Sequence, residues 1–194
     1  METEANPIQL FKQLYEQVFQ ADVPESSAMT LATATPGGRP SARVVLLKGF
    51  DDRGFVFYTN LASRKAVDLQ ANPVAALCFY WEQIHYQVRV EGWVEQVTDA
   101  EADAYFATRP RGSQIGAWAS KQSARLEKRE ALEAQMQKYT KRFEGKEVPR
   151  PTFWSGYRLV PEQIEFWERK ENRLHARTLF VRQNETWKVC LLNP

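Results

Sequence analysis

Basic side chains in the first third of the chain have the residue types and spacing that most directly suggest chemistry. Arg43 and Lys48 flank an apolar Val-Val-Leu-Leu run, and Arg64 and Lys65 follow a Tyr-Thr-Asn segment. Arg64 and Lys65 fall in the first turn of a predicted helix, where a cation opposes the helix dipole by about 0.3–1 kcal/mol unless it shares an anion. The four cations therefore indicate a phosphate site, and an ordinary charged surface is the alternative interpretation.

A second cluster combines cations with hydroxyl and amide groups, which together suit the binding of an oxyanion. Its members are Tyr105, Arg109, Arg111, Ser113, Gln122 and Ser123. Taken alone, this stretch is more typical of a polar surface formed by a helix and a loop.

A third cluster lies near the carboxyl terminus and contains Trp167, Arg173, His175 and Arg177. Its last three members alternate along the chain, so their side chains share one face if the stretch is extended. Up to three positive charges on one face suggest an anionic or electron-rich ligand.

Several common classes of site lack their sequence signatures. No GxGxxG, GxxxxGK[ST] or GxSxG motif occurs, so Rossmann, P-loop and serine hydrolase interpretations have no support. The two histidines, His85 and His175, are part of no metal-ligand spacing, and we expect no metal. The net charge of +2 gives no reason to expect a nucleic acid or an acidic membrane as partner.

The predicted location is the cytoplasm. The opening Met-Glu-Thr-Glu lacks the basic and apolar regions of a secretory signal, and no segment reaches the roughly 20 apolar residues that span a bilayer. Cys78 and Cys190 are too few and too far apart for a disulfide framework or a CxxC motif. We therefore expect a reducing compartment and no membrane.

Short β-prone runs, with a few helices between them, must position these clusters. Helices are predicted at 7–20, from Ser63 to just before Asn72-Pro73, at about 98–108 and at 123–143. Strands are predicted at 29–34, 43–48, 55–59, 74–81, 84–97, 157–160, 164–167, 178–182 and 187–191. Without regular strand–helix alternation, this order favours an α+β, mainly β protein built on an antiparallel barrel.

Five stretches resemble, in order and spacing, the successive motifs of the pyridoxine (pyridoxamine) 5′-phosphate oxidase family. They are RVVLLK (43–48), VFYTNLASRKA (56–66), RPRGSQIGAWASKQS (109–123), FWSGYRLVPEQIEFW (153–167) and RLHAR (173–177). The resemblance runs from about residue 28 to residue 194. It implies one FMN-binding split β-barrel domain over 1–194, with an N-terminal helix at about 7–20. Strands at about 153–194 would serve dimerisation and substrate binding.

The resemblance also implies which residues bind the ligands, in sites shared between the two subunits of a homodimer. FMN would be held by Arg43, Val44, Val45, Leu46, Leu47, Lys48, Tyr58, Thr59, Arg64, Lys65, Gln87, Gln122, Ser123, Trp167 and Arg177. Substrate would be held by Lys48, Tyr105, Arg109, Ser113, Arg173, Leu174 and His175, with Arg173 and His175 as the catalytic pair.

The implied reaction is oxidation of pyridoxine or pyridoxamine 5′-phosphate to pyridoxal 5′-phosphate. Hydride would pass from C4′ to FMN, and O₂ would be reduced to H₂O₂. Two departures from the family pattern concern the substrate side. Ala176 replaces the usual Asp of RLHDR, and the chain lacks a longer amino-terminal arm with an Arg-x-x-Tyr contact.

These departures leave other functions open. One is a flavin- or pyridoxal-phosphate-binding homologue with weak or altered oxidase activity. Another is a flavin oxidoreductase related to phenazine-pathway enzymes, which would not need the RPRGSQIGAW stretch.

Overall fold

The computed structural model describes residues 6–194, in which helices surround one antiparallel sheet. The helices are α1 (Pro7–Gln20), α2 (Arg64–Ala71), α3 (Asp99–Thr108), α4 (Arg111–Ala119) and α5 (Arg129–Arg142). The strands are β1 (Ala28–Ala34), β2 (Pro40–Leu46), β3 (Gly49–Asp51), β4 (Gly54–Asn60), β5 (Val74–Trp81), β6 (Tyr86–Gln96), β7 (Trp154–Glu168), β8 (Ala176–Gln183) and β9 (Thr186–Leu192). Single 3₁₀ turns lie at Glu82–Ile84 and Glu171–Arg173.

The strands follow the order β2-β1-β5-β6-β7-β4-β3, and β8 and β9 continue from β7 as a separate branch. Every pairing is antiparallel. The sheet curls, because its two ends meet: β2 ends at Leu46, and β3, at the other end of the strand order, begins at Gly49. The predicted α+β, mainly β architecture of a split antiparallel barrel with flanking helices is confirmed.

Helix α1 fills the open side of the curled sheet. Asn6 accepts a hydrogen bond from the N–H of Ile8 at 2.8 Å, and Pro7 occupies the first helical position, as expected for a capped start. Its apolar stripe includes Phe11, which is fully buried with its ring centroid 4.9 Å from that of Phe55. The spacing of the apolar residues therefore predicted both the helix and its packing, except that Phe19 is 76% exposed.

The boundaries differ from the sequence predictions in the second half of the chain. The predicted helix at 123–143 begins at Arg129, because Ser123 has φ +70° and the residues up to Lys128 form turns and bends. Helix α4 and the three-residue strand β3 were not predicted. The two strands predicted at 157–160 and 164–167 are one strand, β7, with a register shift opposite Gly92.

Candidate functional site

A cavity of about 650 Å³ opens between β2, β4 and the helices α2, α3 and α4. Most residues that the sequence motifs predicted to bind ligands line it. The predicted residues on its wall are Arg43, Val44, Val45, Leu46, Lys48, Tyr58, Thr59, Lys65, Tyr105, Arg109, Ser113 and Gln122. The motifs from three separate stretches therefore converge on one space.

The cavity has a strongly positive wall. Arg43, Lys48, Lys65 and Arg109 line it, and no Asp or Glu of the described residues 6–194 does. Cations without a carboxylate beside them in a partly enclosed space repel one another and lose hydration, so they favour occupation by an anion.

Lys65 is the most enclosed of these cations, with only 8% of its surface exposed. Its ammonium donates to the hydroxyl oxygen of Thr59 at 3.2 Å and lies 3.4 Å from the side-chain carbonyl oxygen of Gln122. No carboxylate within the described part of the chain lies within 4.0 Å of it. Burial, followed by the charge of Arg43, lowers the pKa of Lys65 below its ordinary value.

Arg43 lines the cavity, and neutral and charged partners behind the wall hold its guanidinium in place. Its guanidinium donates to the hydroxyls of Thr33 and Ser41, each at 2.8 Å, and lies 3.8 Å from a carboxylate oxygen of Asp68. Burial lowers the pKa of Arg43, the Asp68 carboxylate raises it, and the charge of Arg64 lowers it further. Arg43 and Arg64 are therefore close enough to repel each other.

The first turn of α2 contains no acidic residue that could pair with its positive dipole end. Ser63 is at the N-cap position but makes no capping hydrogen bond with its side chain. Arg64 is exposed and Lys65 is buried there. An anion at this helix end would be stabilised by both the helix dipole and the side chains.

Three parallel aromatic rings form another part of the wall. Tyr58 stacks on Tyr105 with ring centroids 4.1 Å apart and on Trp154 at 5.4 Å, with interplanar angles of 13° and 5°. Gly156 lies opposite Tyr58 in the β4–β7 ladder, and a Cβ there would come within 2.7 Å of the tyrosine ring. The glycine therefore makes room for Tyr58 to stack.

Arg109 lies against this aromatic wall. Its guanidinium carbon is 4.7 Å from the ring centroid of Trp154, and its Nη1 is buried without a hydrogen-bond partner within residues 6–194. Burial lowers the pKa of Arg109. A buried guanidinium nitrogen without a partner is costly, and a bound anion would satisfy it.

Several residues on the cavity wall were not among the predicted ligands. They are Asn60, Gly116, Ala117, Ser120 and Trp154. Each of them falls inside one of the motif stretches recognised in the sequence. Membership of a motif was therefore the sequence signal that could have identified them as part of the site. The ring contacts of Trp154 depend on the pairing of β7 with β4, which local spacing does not reveal.

A second group of predicted residues lies away from this cavity. Gln87 on β6 pairs with Trp167 on β7, which pairs with Arg177 on β8, so the three form one row across the sheet. None of the three lines the cavity. The thiol of Cys78 lies 3.3 Å from the side-chain oxygen of Gln87 and orients that amide.

Arg177 is already paired within its own chain. Its Nε and Nη2 donate to the two carboxylate oxygens of Glu165 at 2.7 and 3.1 Å, and its Nη1 donates to the carbonyl of Asn193 at 3.0 Å. Glu165 also pairs with Arg89 and is only 3% exposed. The orientation of Arg177 therefore does not depend on a carboxylate at position 176.

Arg173 and His175 extend this second group on an exposed turn. The sequence suggested an extended stretch, but Asn172 and Arg173 have φ +54° and +60°, and β8 begins only at Ala176. The prediction that Arg173 shares one face with His175 and Arg177 is therefore wrong. The His175 ring packs 4.5 Å from the ring of Trp167, and its Nδ1 accepts a hydrogen bond from the N–H of Lys170. Leu174 is 68% exposed.

The remaining predicted ligands have separate environments. The Leu47 side chain is 5% exposed and belongs to the core, so only its backbone could face a ligand. Ser123 lines a neighbouring cavity of about 600 Å³ between α4 and α5, which shares Ser120 and Gln122 with the first. Within residues 6–194, no helix has the length and apolarity to cross a membrane, and no three metal-ligating side chains cluster.

Comparison with protein families gives two matches that together cover most of the chain. Residues 15–143 match the family described as "Pyridoxamine 5'-phosphate oxidase". Residues 154–194 match the "Pyridoxine 5'-phosphate oxidase C-terminal dimerisation region". The second match starts with β7, so it contains Trp167, Arg173, His175 and Arg177.

Curated relatives carry a matching name. A pyridoxine/pyridoxamine 5′-phosphate oxidase of Rubrobacter xylanophilus is 56% identical over 189 residues, which are 97% of this chain and 87% of the relative. The protein of the same name from Nostoc punctiforme is 50% identical over 195 residues, covering 100% of this chain and 91% of the relative.

Solved structures agree with the fold. PhzG from Burkholderia lata, solved in complex with tetrahydrophenazine-1-carboxylic acid, has a TM-score of 0.94 and 35% identity over 100% of this chain and 95% of its own. A pyridoxamine 5′-phosphate oxidase-related, FMN binding protein from Nostoc punctiforme has a TM-score of 0.76 and 19% identity, with 99% and 100% covered.

Proposed function

The chain belongs to the pyridoxamine 5′-phosphate oxidase family, and from that premise we propose that it oxidises pyridoxine and pyridoxamine 5′-phosphates to pyridoxal 5′-phosphate. FMN is the cofactor, and O₂ is the electron acceptor. In the proposed alcohol oxidation, C4′ loses a hydride and its hydroxyl loses a proton to give the aldehyde, while O₂ takes up two electrons and two protons to give H₂O₂.

One observation carries this proposal: the cavity has four cationic side chains on its wall and, within the described residues, no carboxylate. FMN and the substrate each bring a phosphate, so together they supply the negative charge that the cavity lacks. The buried Lys65 ammonium and the unpartnered Nη1 of Arg109 fit two such groups.

The first phosphate in this proposal is that of FMN. Arg64 and Lys65 bind it at the amino terminus of α2, where the dipole of the helix adds to the attraction. The other proposed FMN contacts in the cavity half are residues 43–48, Tyr58, Thr59, Gln122 and Ser123. When bound, FMN supplies the redox chemistry, and the protein supplies orientation and charge.

The second phosphate is that of the substrate. Lys48, Tyr105, Arg109 and Ser113 bind it and use it as a handle that fixes the reacting carbon. Binding energy from a group that does not react can orient the part that does. Unphosphorylated pyridoxine should therefore be a poor substrate.

A homodimer completes the proposed site. Twelve of the residues predicted to bind FMN or substrate line the cavity, whereas a second group does not line the cavity of its own chain: Gln87, Trp167, Arg173, Leu174, His175 and Arg177. Most of them lie in the segment that matches the dimerisation region. We propose that a second copy brings this group to the cavity, where Arg173 and His175 contact the pyridine ring and the reacting carbon.

A phenazine-type substrate is the second candidate, because PhzG is similar over the whole chain. Its ligand, tetrahydrophenazine-1-carboxylic acid, carries one carboxylate and no phosphate. Such a ligand would leave the substrate-side cations Lys48 and Arg109 with less compensation than a phosphate gives. The phosphorylated vitamers are therefore favoured.

A visible absorption spectrum and a peroxide assay test the proposal. We expect a yellow protein that releases H₂O₂ with pyridoxine 5′-phosphate and with pyridoxamine 5′-phosphate. Pyridoxine without phosphate and tetrahydrophenazine-1-carboxylic acid serve as the matched comparisons. A colourless protein that FMN cannot reconstitute would contradict the proposal. A yellow protein that turns over neither vitamer would instead favour a binding homologue.

A further inference from the structure

Helix α3 carries substrate-side residues but has little apolar attachment of its own. Tyr105 lies on it, and Arg109 is at its carboxyl end. Only Ala102 and Phe106 of the helix are buried. The position of α3 relative to the aromatic wall must therefore depend on other contacts.

Arg150 provides those contacts from the segment that precedes β7. Its Nη2 donates to a carboxylate oxygen of Asp99 at 2.7 Å and its Nε to one of Asp103 at 2.5 Å. Asp99 and Asp103 are one helical turn apart, so one guanidinium engages both. The Arg150 side chain is 11% exposed although both aspartates are more than half exposed.

The same guanidinium also reaches the aromatic wall. Its Nη1 donates to the backbone carbonyl of Trp154 at 2.8 Å, and the ring of Trp154 supports the Arg109 guanidinium. One side chain thus connects α3, which carries Tyr105 and Arg109, with the residue against which both pack.

The backbone around Arg150 is stiff. Pro149 and Pro151 flank it, so φ is fixed on both sides and the residues before each proline are restricted to extended conformations. The carbonyl of Pro149 accepts a hydrogen bond from the indole N–H of Trp118 on α4 at 2.8 Å. Arg150 therefore projects from a segment that is itself anchored to the cavity's helices.

We propose that Arg150 is a positioning residue for the substrate-phosphate half of the site. It fixes α3 against Trp154 and so sets the distance between the Arg109 guanidinium and the phosphate that Arg109 binds. This inference rests on the proposed function. Arg150 lines neither the main cavity nor the neighbouring one, so it acts through Tyr105 and Arg109.

The Arg150→Gln variant separates this role from general stability. Its two carboxylate partners are exposed and stay hydrated when the guanidinium is removed, and the glutamine amide still offers a donor to the carbonyl of Trp154, so the melting temperature should fall only modestly. A small displacement of binding groups costs far more in ligand binding, and we expect the Kd for pyridoxal 5′-phosphate to rise about tenfold. The Kd for FMN should stay within about twofold, because α3 is not an FMN contact in the proposed site.

Equilibrium dialysis of the FMN-loaded protein measures the Kd for pyridoxal 5′-phosphate without any turnover. In the oxidase assay, the same variant should raise KM about tenfold and leave kcat within about threefold. Arg150→Lys, which keeps the charge but not the fork, should give an intermediate Kd. Arg53→Gln is the matched control, because Arg53 also contacts α3, at Glu101, but is 65% exposed.

The outcomes are distinguishable. An Arg150→Gln protein that binds pyridoxal 5′-phosphate like the wild type would overturn the positioning role. So would equal losses of affinity for FMN and pyridoxal 5′-phosphate together with a large drop in melting temperature. A wild type that binds pyridoxal 5′-phosphate without producing peroxide would contradict only the proposed function. A wild type that binds FMN but no pyridoxal 5′-phosphate would overturn both.

Discussion

The two groups of predicted ligand-binding residues differ in how their charges are compensated. In the cavity half, the Lys65 side chain and the Nη1 atom of Arg109 are buried, and neither residue has a carboxylate partner among residues 6–194. In the row that crosses β6, β7 and β8, Arg177 is already bound to both oxygens of the buried Glu165. One region is therefore charged and incomplete, and the other is balanced.

This difference in charge compensation suggests which region binds anions and which region meets a second copy of the chain. Uncompensated buried cations lower the stability of an empty fold and return that free energy when an anion binds. A balanced row has no such need, so it can remain on a surface until another protein surface covers it. This difference supports the proposal that the cavity half provides anion affinity and that the row completes the site in the dimer.

The largest expected effect comes from placing one defect in each region. Lys65→Met damages the cavity half, and its homodimer should lose about 30-fold in kcat/KM when FMN is limiting, because FMN binding is weakened. Arg173→Ala damages the second group of predicted ligands, and its homodimer should lose at least about 100-fold in kcat/KM. A purified heterodimer of the two variants should regain about half of wild-type activity, because one of its two sites then combines two intact halves.

Differently tagged copies, expressed together and purified through both tags, provide that heterodimer. Peroxide release with pyridoxine 5′-phosphate is the measurement, and a heterodimer of either variant with wild type is the control. No recovery in the doubly tagged protein would mean that each site is built within one copy.

The next prediction distinguishes the contribution of Lys65 to FMN affinity from its contribution to the stability of the empty protein. Lys65→Met should weaken FMN binding about 30-fold, since a hydrogen bond to a charged group contributes about 2 kcal/mol. The empty variant should melt at or above the wild-type temperature, because an apolar side chain of similar length removes a buried charge.

Titration of the wild-type and Lys65→Met apoproteins with FMN gives the two Kd values. Thermal melts of the same proteins without FMN give their melting temperatures. Arg53→Gln, which removes an exposed cation far less buried than Lys65, should change neither. An empty Lys65→Met protein that is clearly less stable than wild type would show that the ammonium stabilises the fold.

A smaller effect follows from the pKa of Lys65, which burial and the charge of Arg43 lower. The folded ammonium therefore loses its proton at a lower pH than an ordinary lysine. FMN affinity should be highest below that lowered pKa and decline, by up to about tenfold, as pH rises through it. The arginines keep their charge in this range.

The same lowered pKa acts on stability with the opposite sign. Between the folded and the unfolded pKa, the unfolded chain binds more protons, so stability of the empty protein should rise with pH. FMN titrations and melts across pH 7 to about 10.5 measure both trends, and Lys65→Met should flatten each of them. Parallel trends in affinity and stability would contradict this assignment.

The sequence predicted most of the fold because its strongest patterns are local. The apolar spacing of 7–20 identified α1, and Pro73 ended α2 where expected. Helix α4 escaped prediction because Gly112 and Gly116 lower helix propensity and Pro110 resembles a loop residue. The extra turns predicted for α5 failed because Ser123 adopts a left-handed conformation that composition does not reveal.

The cavity half was predictable for the same reason, since Arg43, Lys48 and Lys65 lie in contiguous motifs. Trp154 and Arg150 were not, because their contacts join segments far apart in the chain. The turn at Arg173 depends on two left-handed residues, which periodicity cannot indicate. Sequence therefore predicted most of the residues that line the cavity, whereas the contacts that hold them in place required the structure.

The smallest expected effect tests whether the row is already complete without a carboxylate at position 176. Ala176 pairs across the ladder with Glu168, so an aspartate there would face a like charge, and Glu168 is already paired with Lys170. Arg177 has its carboxylate partner in Glu165. Ala176→Asp should therefore change kcat/KM for both vitamers by less than about twofold. Steady-state kinetics with Ala176→Asn as the size-matched, uncharged control measure this, and a gain of about tenfold with aspartate alone would show that Arg173 depends on a carboxylate at position 176.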